Sequence, residues 1–402
     1  MNPKSRNAGD EAGSHTQWKD KGMKRRSFIG SSTIGALGLA APESGNAAPR
    51  GQAPAAVTTL AGKSLKELRE EYRYWLFDDF VPFMDKFVID HELGGFMCTV
   101  DRDGTQLSSD KRCWYEGRGI WTYSLLYGKL AKEQKYLDVA EKSVKFIMKH
   151  KPEGDNLWPE NYAKDGTPKG GPDTRLYGDL FVALGLQEFA TATGDDSWRR
   201  LSKDILVKCT RLYDKPGFQP GAAKSYLGQD APLMPGARVQ GVWFCLINAL
   251  TGILEAKPDA EMEKLAARAV SAVMDYHWNP DFNLTNELIN HDMTRPPEPI
   301  SQLVYTGHAI ETQWMIMYEA ARKRDGKLFS TAAERFRRHL EVAWDDVYGG
   351  VYAGLLNVDE NRWETNKVLW AQIEVLIGLL FIIEHTGAQW AVDWFDRAYT
   401  YV

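Results

Sequence analysis

Most of the chain carries apolar residues at the three- and four-residue intervals that place them on one face of an α-helix. Ser64-Leu65-Lys66-Glu67 has the residue types of a capping box, in which two side chains satisfy free backbone N–H groups at a helix start. It predicts a helix that continues to about Val88. The other predicted helices are 113–131, 133–150, 173–195, 196–213, 237–256, 258–277, 304–325, 326–344, 363–386 and 387–400.

These helices fall into successive pairs that are separated by glycine-rich turns with short β-prone pieces. Two of the turns resemble each other, Gly94-Gly95-Phe96 and Gly349-Gly350-Val351. A repeated helix–loop–helix unit predicts a stack of hairpins. Since no glycine-rich phosphate loop follows a predicted strand, a doubly wound nucleotide-binding fold is not expected. We therefore predict an all-α fold, an α/α toroid formed by residues 59–402.

Residues 1–58 differ from the rest and are predicted to be an export signal and linker. Arg25-Arg26 precede a weakly apolar stretch, Gly30 to Ala41, which is shorter than the roughly 20 residues needed to span a bilayer. Small residues then follow, as before a signal-peptide cleavage site. The paired arginines resemble a twin-arginine (Tat) signal, so we expect export to the periplasm or the outside of the cell. A disordered tail with a chance arginine pair is the alternative.

The composition indicates which classes of binding partner are not expected. A net charge of −5 and a pI near 6.0 indicate no basic surface, so nucleic acid is not expected as a partner. The 14 tryptophans are numerous, and they must fill a large core, line a stacking site or do both. The four cysteines form no CxxC pair and no metal-type spacing with histidine, so we expect no metal. Outside the leader we expect no stable membrane insertion.

Three predicted helices place residue types that suit sugar binding on one face. Tryptophan offers an apolar platform to the C–H faces of a sugar, and charged residues bind its hydroxyls. A plain solvated face is the alternative for each helix taken alone, but three such faces favour a carbohydrate pocket at the centre of the toroid. The residues are Trp114, Arg118 and Trp121 on 113–131, His308 and Glu311 on 304–325, and Trp363, Lys367, Trp370 and Glu374 on 363–386.

His308 is the candidate for acid–base chemistry, because imidazole titrates near neutral pH. It follows Gly307 at a predicted helix start, where the helix dipole favours a neutral imidazole. Glu311 lies one turn further on and could orient His308 or bind substrate. A structural role for a single histidine is the alternative interpretation.

Three segments of the chain, in the same order, resemble motifs of the N-acylglucosamine 2-epimerase family. Lys111–Trp121 resembles its "K…W…GR..W" signature, and Gly307–Trp314 resembles its "PGHaiE..W" motif with Thr306 in place of proline. Asp345–Gly350 followed by Lys367–Glu374 resembles its "D..yGG…K.wW.q.E" block. The resemblance extends from about Leu65 to the end of the sequence.

The resemblance implies an (α/α)6 barrel that acts at C2 of a free reducing mono- or oligosaccharide without a metal or redox cofactor. By the positions that match the family's motifs, the resemblance implies that His308 is the catalytic acid/base and that Arg118 contacts oxygen atoms of the substrate. It also implies that Glu311, Trp370 and Glu374 line the pocket. The reaction would pass through an enediolate, which needs a positioned base and a cation to stabilise the oxyanion. A homodimer is one assembly that we consider.

The sequence departs from the family's pattern in two respects. Cellobiose 2-epimerases carry an additional histidine where this chain has Trp243–Asn248. The family's second catalytic histidine belongs to a "K…H..R" segment that we expect just beyond Val402, so we also expect the barrel to lack its closing helix. These departures keep two alternatives open, an aldose–ketose isomerase and a truncated inactive sugar-binding remnant. A glycoside hydrolase or lyase on the same toroidal scaffold is a third alternative, because fold alone does not fix function. A hydrolase would need two flanking carboxylates, for which Glu160, Glu287 and Glu374 are the candidates.

Overall fold

The computed structural model describes residues 57–218 and 222–402. The predicted twin-arginine signal at Arg25-Arg26 and the leader up to residue 56 lie outside the described residues. All eleven predicted helices are found, and the short helix α7 was not predicted. The helices are α1 (Leu65–Tyr74), α2 (Val81–Phe87), α3 (Cys113–Leu125), α4 (Gln134–Lys149), α5 (Tyr177–Thr193), α6 (Asp196–Tyr213), α7 (Ala222–Leu227), α8 (Gln240–Ala256), α9 (Ala260–Ser271), α10 (Thr306–Lys323), α11 (Gly326–Ala343), α12 (Leu369–Thr386) and α13 (Gln389–Tyr401).

Short strands occupy the connections, and all of their pairings are antiparallel. They pair as β1 with β2, β3 with β4, β5 with β6 and β7, β8 with β11, β9 with β10, and β12 with β13. The strands are β1 (Thr59–Leu60), β2 (Lys63–Ser64), β3 (Thr99–Val100), β4 (Gln106–Ser108), β5 (Lys111–Arg112), β6 (Pro159–Tyr162), β7 (Pro168–Pro172), β8 (Arg238–Val239), β9 (Trp278–Asn279), β10 (Leu284–Thr285), β11 (Leu288–Ile289), β12 (Gly354–Asn357) and β13 (Arg362–Glu364).

Local caps explain several of the helix boundaries. The capping box predicted at the start of α1 is confirmed: Ser64 Oγ accepts from the backbone N–H of Glu67, and the Glu67 carboxylate accepts from the backbone N–H of Ser64. Asp195 and Asp259 accept from backbone N–H groups at the starts of α6 and α9 in the same way. These side chains satisfy donors that the helix itself cannot.

Five helices form an inner ring in the described part of the chain. α3 packs against α5, α5 against α8, α8 against α10, and α10 against α12, while the helix that follows each of them packs outside it. α3 and α5 approach closely because both carry glycine at the crossing. A Cβ atom at Gly117 would lie 2.3 Å from the Phe181 backbone, and one at Gly185 would lie 2.5 Å from the Gly117 carbonyl. The all-α toroid prediction is confirmed by this arrangement of helix pairs.

The helix predicted at 363–386 begins later than expected. α12 starts at Leu369, so Trp363 lies in β13 and Lys367 lies in the segment between them. The prediction that Trp363 and Lys367 share a helical face with Trp370 and Glu374 is therefore wrong. The reason is tertiary: the Asn366 carbonyl accepts from the Ala353 backbone N–H, and the Lys367 ammonium is held by an aspartate.

α12 has the length and the mean hydropathy, 1.5, of a helix that could cross a bilayer. In this fold it is an inner helix that packs against α10 and α13. Its apolar residues Val375, Leu379 and Ile382 are buried in the core. Its composition is thus explained by burial inside the protein.

Two connections share one arrangement of hydrogen bonds, which we call the first and second lysine clasps. In the first, Lys111 Nζ donates to Asp90 Oδ2 at 2.9 Å and to the Gly94 carbonyl at 2.7 Å. In the second, Lys367 Nζ donates to Asp345 Oδ2 at 2.5 Å and to the Gly349 carbonyl at 2.6 Å. Each clasp joins the loop before an inner helix to the residue that leads into that helix, so the resemblance between the two turns is an internal structural repeat.

The repeat continues into the inner helices but with different residues. Gln372 of α12 accepts from the Val351 N–H at 2.8 Å and donates to the Val351 carbonyl at 2.9 Å. Glu116 takes the equivalent position in α3 and accepts from the Phe96 N–H at 3.0 Å, but its other oxygen has no partner among the described residues. Burial raises the pKa of Glu116 to about 8. A protonated glutamic acid therefore replaces glutamine in the first clasp.

Substituting Glu116→Gln is expected to remove a pH-dependent loss of stability. Because the folded-state pKa of about 8 lies above the unfolded value of 4.5, the folded state binds the extra proton between these values. Stability should then fall as pH rises from about 4.5 to about 8, by at most about 1.4 kcal/mol per pH unit. Urea unfolding at pH 5 and pH 8 measures the effect. The free energy of unfolding of the variant, relative to that of the wild type, should be higher at pH 8 than at pH 5. Glu141→Gln on the exposed face of α4 is the control, and an unchanged pH slope in Glu116→Gln would contradict the assignment.

Candidate active site

His308 lies in the first turn of α10, where the start of α10 meets the start of α12. Thr306 Oγ1 donates to the Tyr352 carbonyl and ties the beginning of α10 to the loop of the second clasp. Gly307 gives room to the indole of Trp370, because a Cβ atom at this position would lie 2.5 Å from the ring. The imidazole of His308 consequently lies 5.6 Å from the Trp370 ring, between ring centroids.

The imidazole is oriented by a buried carboxylate. His308 Nδ1 lies 3.0 Å from Oε1 of Glu287, whose side chain is fully buried. Tyr226 OH donates to the same oxygen at 3.0 Å. Since a carboxylate can only accept, Nδ1 carries the hydrogen in this contact. The lone pair of Nε2, which has no hydrogen-bond partner among the described residues, is then available to a substrate.

Aromatic rings enclose the imidazole on several sides. The ring centroids of Tyr305 and Phe244 lie 4.6 Å and 5.1 Å from that of His308. Both meet it edge-on, at interplanar angles of 69° and 67°. With Trp370 these rings leave only 15% of the His308 side chain exposed. Such an enclosure strengthens the electrostatic interactions of the imidazole by limiting its contact with water.

A pair of carboxyl groups, Glu311 and Glu374, lies about one turn further along α10 and α12. Burial raises the pKa of Glu311 well above its usual range, and the negative charge of Glu374 raises it further. Burial also raises the pKa of Glu374, although Trp314 Nε1 opposes this by donating to its Oε2 at 2.6 Å. Burial thus opposes the charged form of both carboxyl groups, most strongly that of Glu311.

Arg118 supplies the positive charge opposite this pair. Its guanidinium lies 4.3 Å from the centroid of the Phe181 ring and 5.7 Å from that of Trp114. Its charge acts on both Glu311 and Glu374, where it lowers the pKa against the effect of burial. Arg118 is exposed although α3 is an inner helix. The guanidinium is thus free to bind an oxygen atom of a ligand.

The structure separates two of the predicted site residues from this group. Lys367 is held in the second clasp by Asp345, with its ammonium among the rings of Tyr348, Tyr352 and Tyr401. Trp121 lines a different cavity, toward the far ends of the inner helices. His308, Glu311, Trp370, Glu374, Arg118 and Trp114 form one cluster, which we call the His308 cluster.

Sequence reasoning missed Glu287, Tyr226 and Tyr305 as parts of the His308 cluster. Glu287 had been considered only as a hydrolase carboxylate. It lies between β10 and β11, flanked by apolar strand residues, and this flanking was the one local signal of burial. Tyr226 lies in α7, which was not predicted. In the described ranges, no three His, Cys, Asp or Glu side chains lie close enough together to hold a metal ion.

Comparison with known proteins places this geometry in a family. Residues 94–402 match the N-acylglucosamine 2-epimerase (GlcNAc 2-epimerase) family. The cellobiose 2-epimerase of Bacteroides fragilis is 30% identical over 351 residues, which are 81% of this chain and 84% of that protein. The N-acylglucosamine 2-epimerase of Rattus norvegicus is 22% identical over 327 residues, 77% of this chain and 74% of the relative.

A solved structure with the same fold is the cellobiose 2-epimerase from Bacillus thermoamylovorans B4167. It superposes with a TM-score of 0.71 at 17% identity, over 84% of this chain and 87% of that one. A D-mannose isomerase superposes with a TM-score of 0.67 at 16% identity, over 84% of this chain and 85% of the other. At these identities the superpositions establish the (α/α)6 toroid alone. With the match over residues 94–402, they establish that the chain belongs to the N-acylglucosamine 2-epimerase family.

Proposed function

We propose that this protein is a carbohydrate isomerase that removes and returns the C2 proton of a free reducing sugar. Family membership gives the reaction class, an isomerase acting on carbohydrate. The observation that carries the proposal for this chain is the imidazole of His308, with Nδ1 fixed on Glu287 and Nε2 unpartnered. A positioned neutral imidazole is the base that abstraction of a proton next to a carbonyl requires.

In the proposed reaction the open-chain aldose places its C2–H bond against Nε2 of His308. The proton moves to Nε2, the electron pair of the C–H bond forms the C1–C2 double bond, and the carbonyl electrons move to O1. The enediolate that results carries its negative charge on oxygen, where Arg118 stabilises it. Return of the proton to the opposite face of C2 gives the epimer. Its return to C1, together with transfer of the O2 hydroxyl proton to O1, gives the ketose.

The carboxyl pair and the aromatic rings assist this step. The carboxyl groups of Glu311 and Glu374 bind sugar hydroxyls and hold the substrate beside the imidazole. The indole of Trp370 offers a flat apolar surface beside the imidazole for the C–H face of the sugar ring. The relatives named for cellobiose, N-acylglucosamine and mannose indicate a mono- or short oligosaccharide as the substrate class.

The experiment that tests the proposal is deuterium incorporation at C2 in D2O. Glucose, mannose, fructose, N-acetylglucosamine and cellobiose would each be incubated with the purified protein and followed by NMR. We expect exchange at C2 of at least one of the four aldose sugars, or at C1 of fructose, whose C2 carries no hydrogen, and the accompanying product distinguishes an epimer from a ketose. Absence of exchange in all five sugars, from folded protein, would overturn the proposal.

Glycoside hydrolysis is less consistent with the site. Of the three carboxylates considered for it, Glu160 forms an ion pair with Arg175 at 2.8 Å. Glu287 is fully buried and is bonded to His308 and Tyr226. An unengaged pair flanking a glycosidic bond, which hydrolysis requires, is therefore not formed by these residues.

Glu287 is proposed as a positioning residue, and Glu287→Gln is expected to lower kcat of C2 exchange by about tenfold or more. The amide can keep a hydrogen bond to His308 but does not stabilise the imidazolium that forms when the C2 proton is taken. The acid limb of the pH–rate profile should therefore move to lower pH. The pH dependence of deuterium exchange measures both effects.

Tyr226→Phe is the matched control for this substitution, because it removes one donor to Glu287 and leaves the carboxylate charge in place. We expect it to lower kcat less and to leave the acid limb near its wild-type position. A Glu287→Gln enzyme with wild-type kcat and pH profile would contradict the positioning role.

We also propose that the protein is exported, and we consider whether it forms a homodimer. The paired arginines at Arg25-Arg26 support export by a twin-arginine route, which cell fractionation of the full chain would test. An exported enzyme would meet environmental sugars. A homodimer is a separate proposal, which light scattering of the purified protein decides.

A further inference from the structure

A second cavity lies away from the His308 cluster, toward the C-terminal ends of the inner helices. It has a volume of ≈ 200 Å³ and is lined by residues of α3, α5, α8 and α10 together with Lys129. Tyr318 on its wall is ten residues beyond His308 in the same helix, or about 15 Å along the axis at 1.5 Å per residue. Among the lining residues there is no member of the His308 cluster.

The cavity contains polar groups that the described part of the chain does not satisfy. Glu188 is only 7% exposed, yet its Oε1 lacks a hydrogen-bond partner and lies 3.6 Å from Lys129 Nζ. Asn248 also lines the cavity, and none of the described residues forms a hydrogen bond with its amide. The Lys129 ammonium offsets the charge of Glu188 at this distance, while the donors and the acceptor of the Asn248 amide are free for a ligand. The cavity therefore has polar groups that a ligand can contact.

Trp121 provides the apolar part of the cavity wall. Its indole is half-buried, and no aromatic ring or cation of the described chain stacks on it. A free indole face beside an amide and a carboxylate is suited to a ligand with C–H groups on one face and hydroxyls at its edge. The tryptophan that the sequence assigned to sugar binding would then bind a ring, but in the second cavity.

The charges around the cavity select the class of ligand. An anion would meet the carboxylates of Glu188 and Glu255, and a cation would meet the ammonium of Lys129. Glu255 already accepts a hydrogen bond from Tyr318, while Asn248 can both donate and accept. A neutral ligand with several hydroxyls can use all of these groups without a like-charge contact. The volume lies below the roughly 300–1,000 Å³ of drug-sized pockets, so a single ring fits the space better than an oligosaccharide.

We propose that this cavity, lined by Trp121, Glu188, Asn248 and Glu255, is a second binding site for one neutral sugar ring. The ring stacks on Trp121, and its hydroxyls donate to Glu188 and exchange hydrogen bonds with Asn248. The site is separate from the reaction at His308, so it binds sugar whether or not the protein catalyses C2 exchange.

Titration calorimetry with D-glucose tests the site, using the full chain carrying Trp370→Ala so that sugar binding at the His308 cluster is weakened. We expect glucose binding to persist in Trp370→Ala and to weaken about tenfold or more, or about 1.4 kcal/mol, when Asn248→Ala is added. Trp121→Phe, which keeps an aromatic face, should weaken binding less than Trp121→Ala. Gln134→Ala on the exposed surface of α4 is the control, and circular dichroism checks that each variant is folded.

Choline and glucose 6-phosphate are the cationic and anionic probes. We expect neither to bind in a manner that Asn248→Ala weakens. The proposal is overturned if glucose binding is lost in Trp370→Ala alone, if Asn248→Ala leaves it unchanged, or if a charged probe takes the site in preference to glucose. Because the readout is binding, its failure is distinct from a failure of C2 exchange.

Discussion

Replacing His308 with alanine is expected to lower C2 proton exchange by about 10³-fold, within the roughly 10²- to 10⁴-fold range of general-base contributions. The imidazole presents a ring nitrogen, Nε2, whose lone pair has no partner among the described residues, and it lies 5.6 Å from the Trp370 ring. Its removal also takes away one of the two donors to Glu287, and Tyr226 OH remains as the other. The measurement is single-sugar deuterium exchange in D2O, with the sugar that the wild-type enzyme exchanges fastest.

Two further variants test whether the loss of exchange is due to the imidazole of His308. His385→Ala removes an exposed imidazole at the end of α12, which is hydrogen-bonded to the Phe381 carbonyl, and should leave exchange near the wild-type rate. His308→Gln keeps a side chain that can contact Glu287 but cannot accept a proton, and should be as inactive as His308→Ala. Retention of more than about a tenth of wild-type exchange in both His308 variants would rule out this residue as the base.

Replacing Lys111 with methionine is expected to lower the free energy of unfolding by about 3–5 kcal/mol, the cost of leaving one partner of a buried ion pair uncompensated. The side chains of Lys111 and Asp90 are 0% and 2% exposed. Lys111 also donates to the Gly94 and Lys164 carbonyls, so three acceptors lose their donor together. Urea unfolding at pH 7 measures the effect.

The other clasp and a surface pair serve as comparisons. Lys367→Met should cost less, because the Lys367 side chain is 15% exposed and water can replace part of the contact. Lys145→Ala breaks an exposed i,i+4 pair with Glu141 and should cost only about 0.5 kcal/mol. If Lys111→Met were no more destabilising than Lys145→Ala, the clasps would not hold the loops to the inner helices.

Much of the active site was predictable because it lies on helices. His308 and Glu311 are three residues apart on α10, and Trp370 and Glu374 are four apart on α12, so helical geometry alone places each pair on one face. The motifs shared with the family then indicated that Arg118, on a third helix, meets them. The structure brings these residues together as expected.

Contacts made by loops were not predictable in the same way. Glu287 is 21 residues from His308 and belongs to a strand–turn segment without helical periodicity, so nothing local indicated that it binds the imidazole. Lys367 was assigned to a helical face because the apolar pattern continues upstream of α12. Its contact with Asp345, 22 residues earlier, keeps that segment extended.

The sequence likewise did not predict how far along the toroid axis each side chain lies. Arg118 and Trp121 are three positions apart on α3. The shift of about 4.5 Å along the axis is enough to place Trp121 on the wall of the second cavity while Arg118 belongs to the His308 cluster. Helical periodicity predicts the direction in which a side chain points around the helix axis. It does not predict which residues of the neighbouring helices lie at the same height along that axis.

The sequence by itself determined the helices, their pairing into a toroid, the capping box at Ser64 and most of the residues of the His308 cluster, because helix formation and helical faces depend on short-range spacing. Only the tertiary structure decided which nitrogen of His308 is free, where Lys367 and Trp121 lie, and that Glu116 occupies a position that glutamine fills in the other clasp. These depend on contacts between distant segments, whose positions are set by how the inner helices pack against one another.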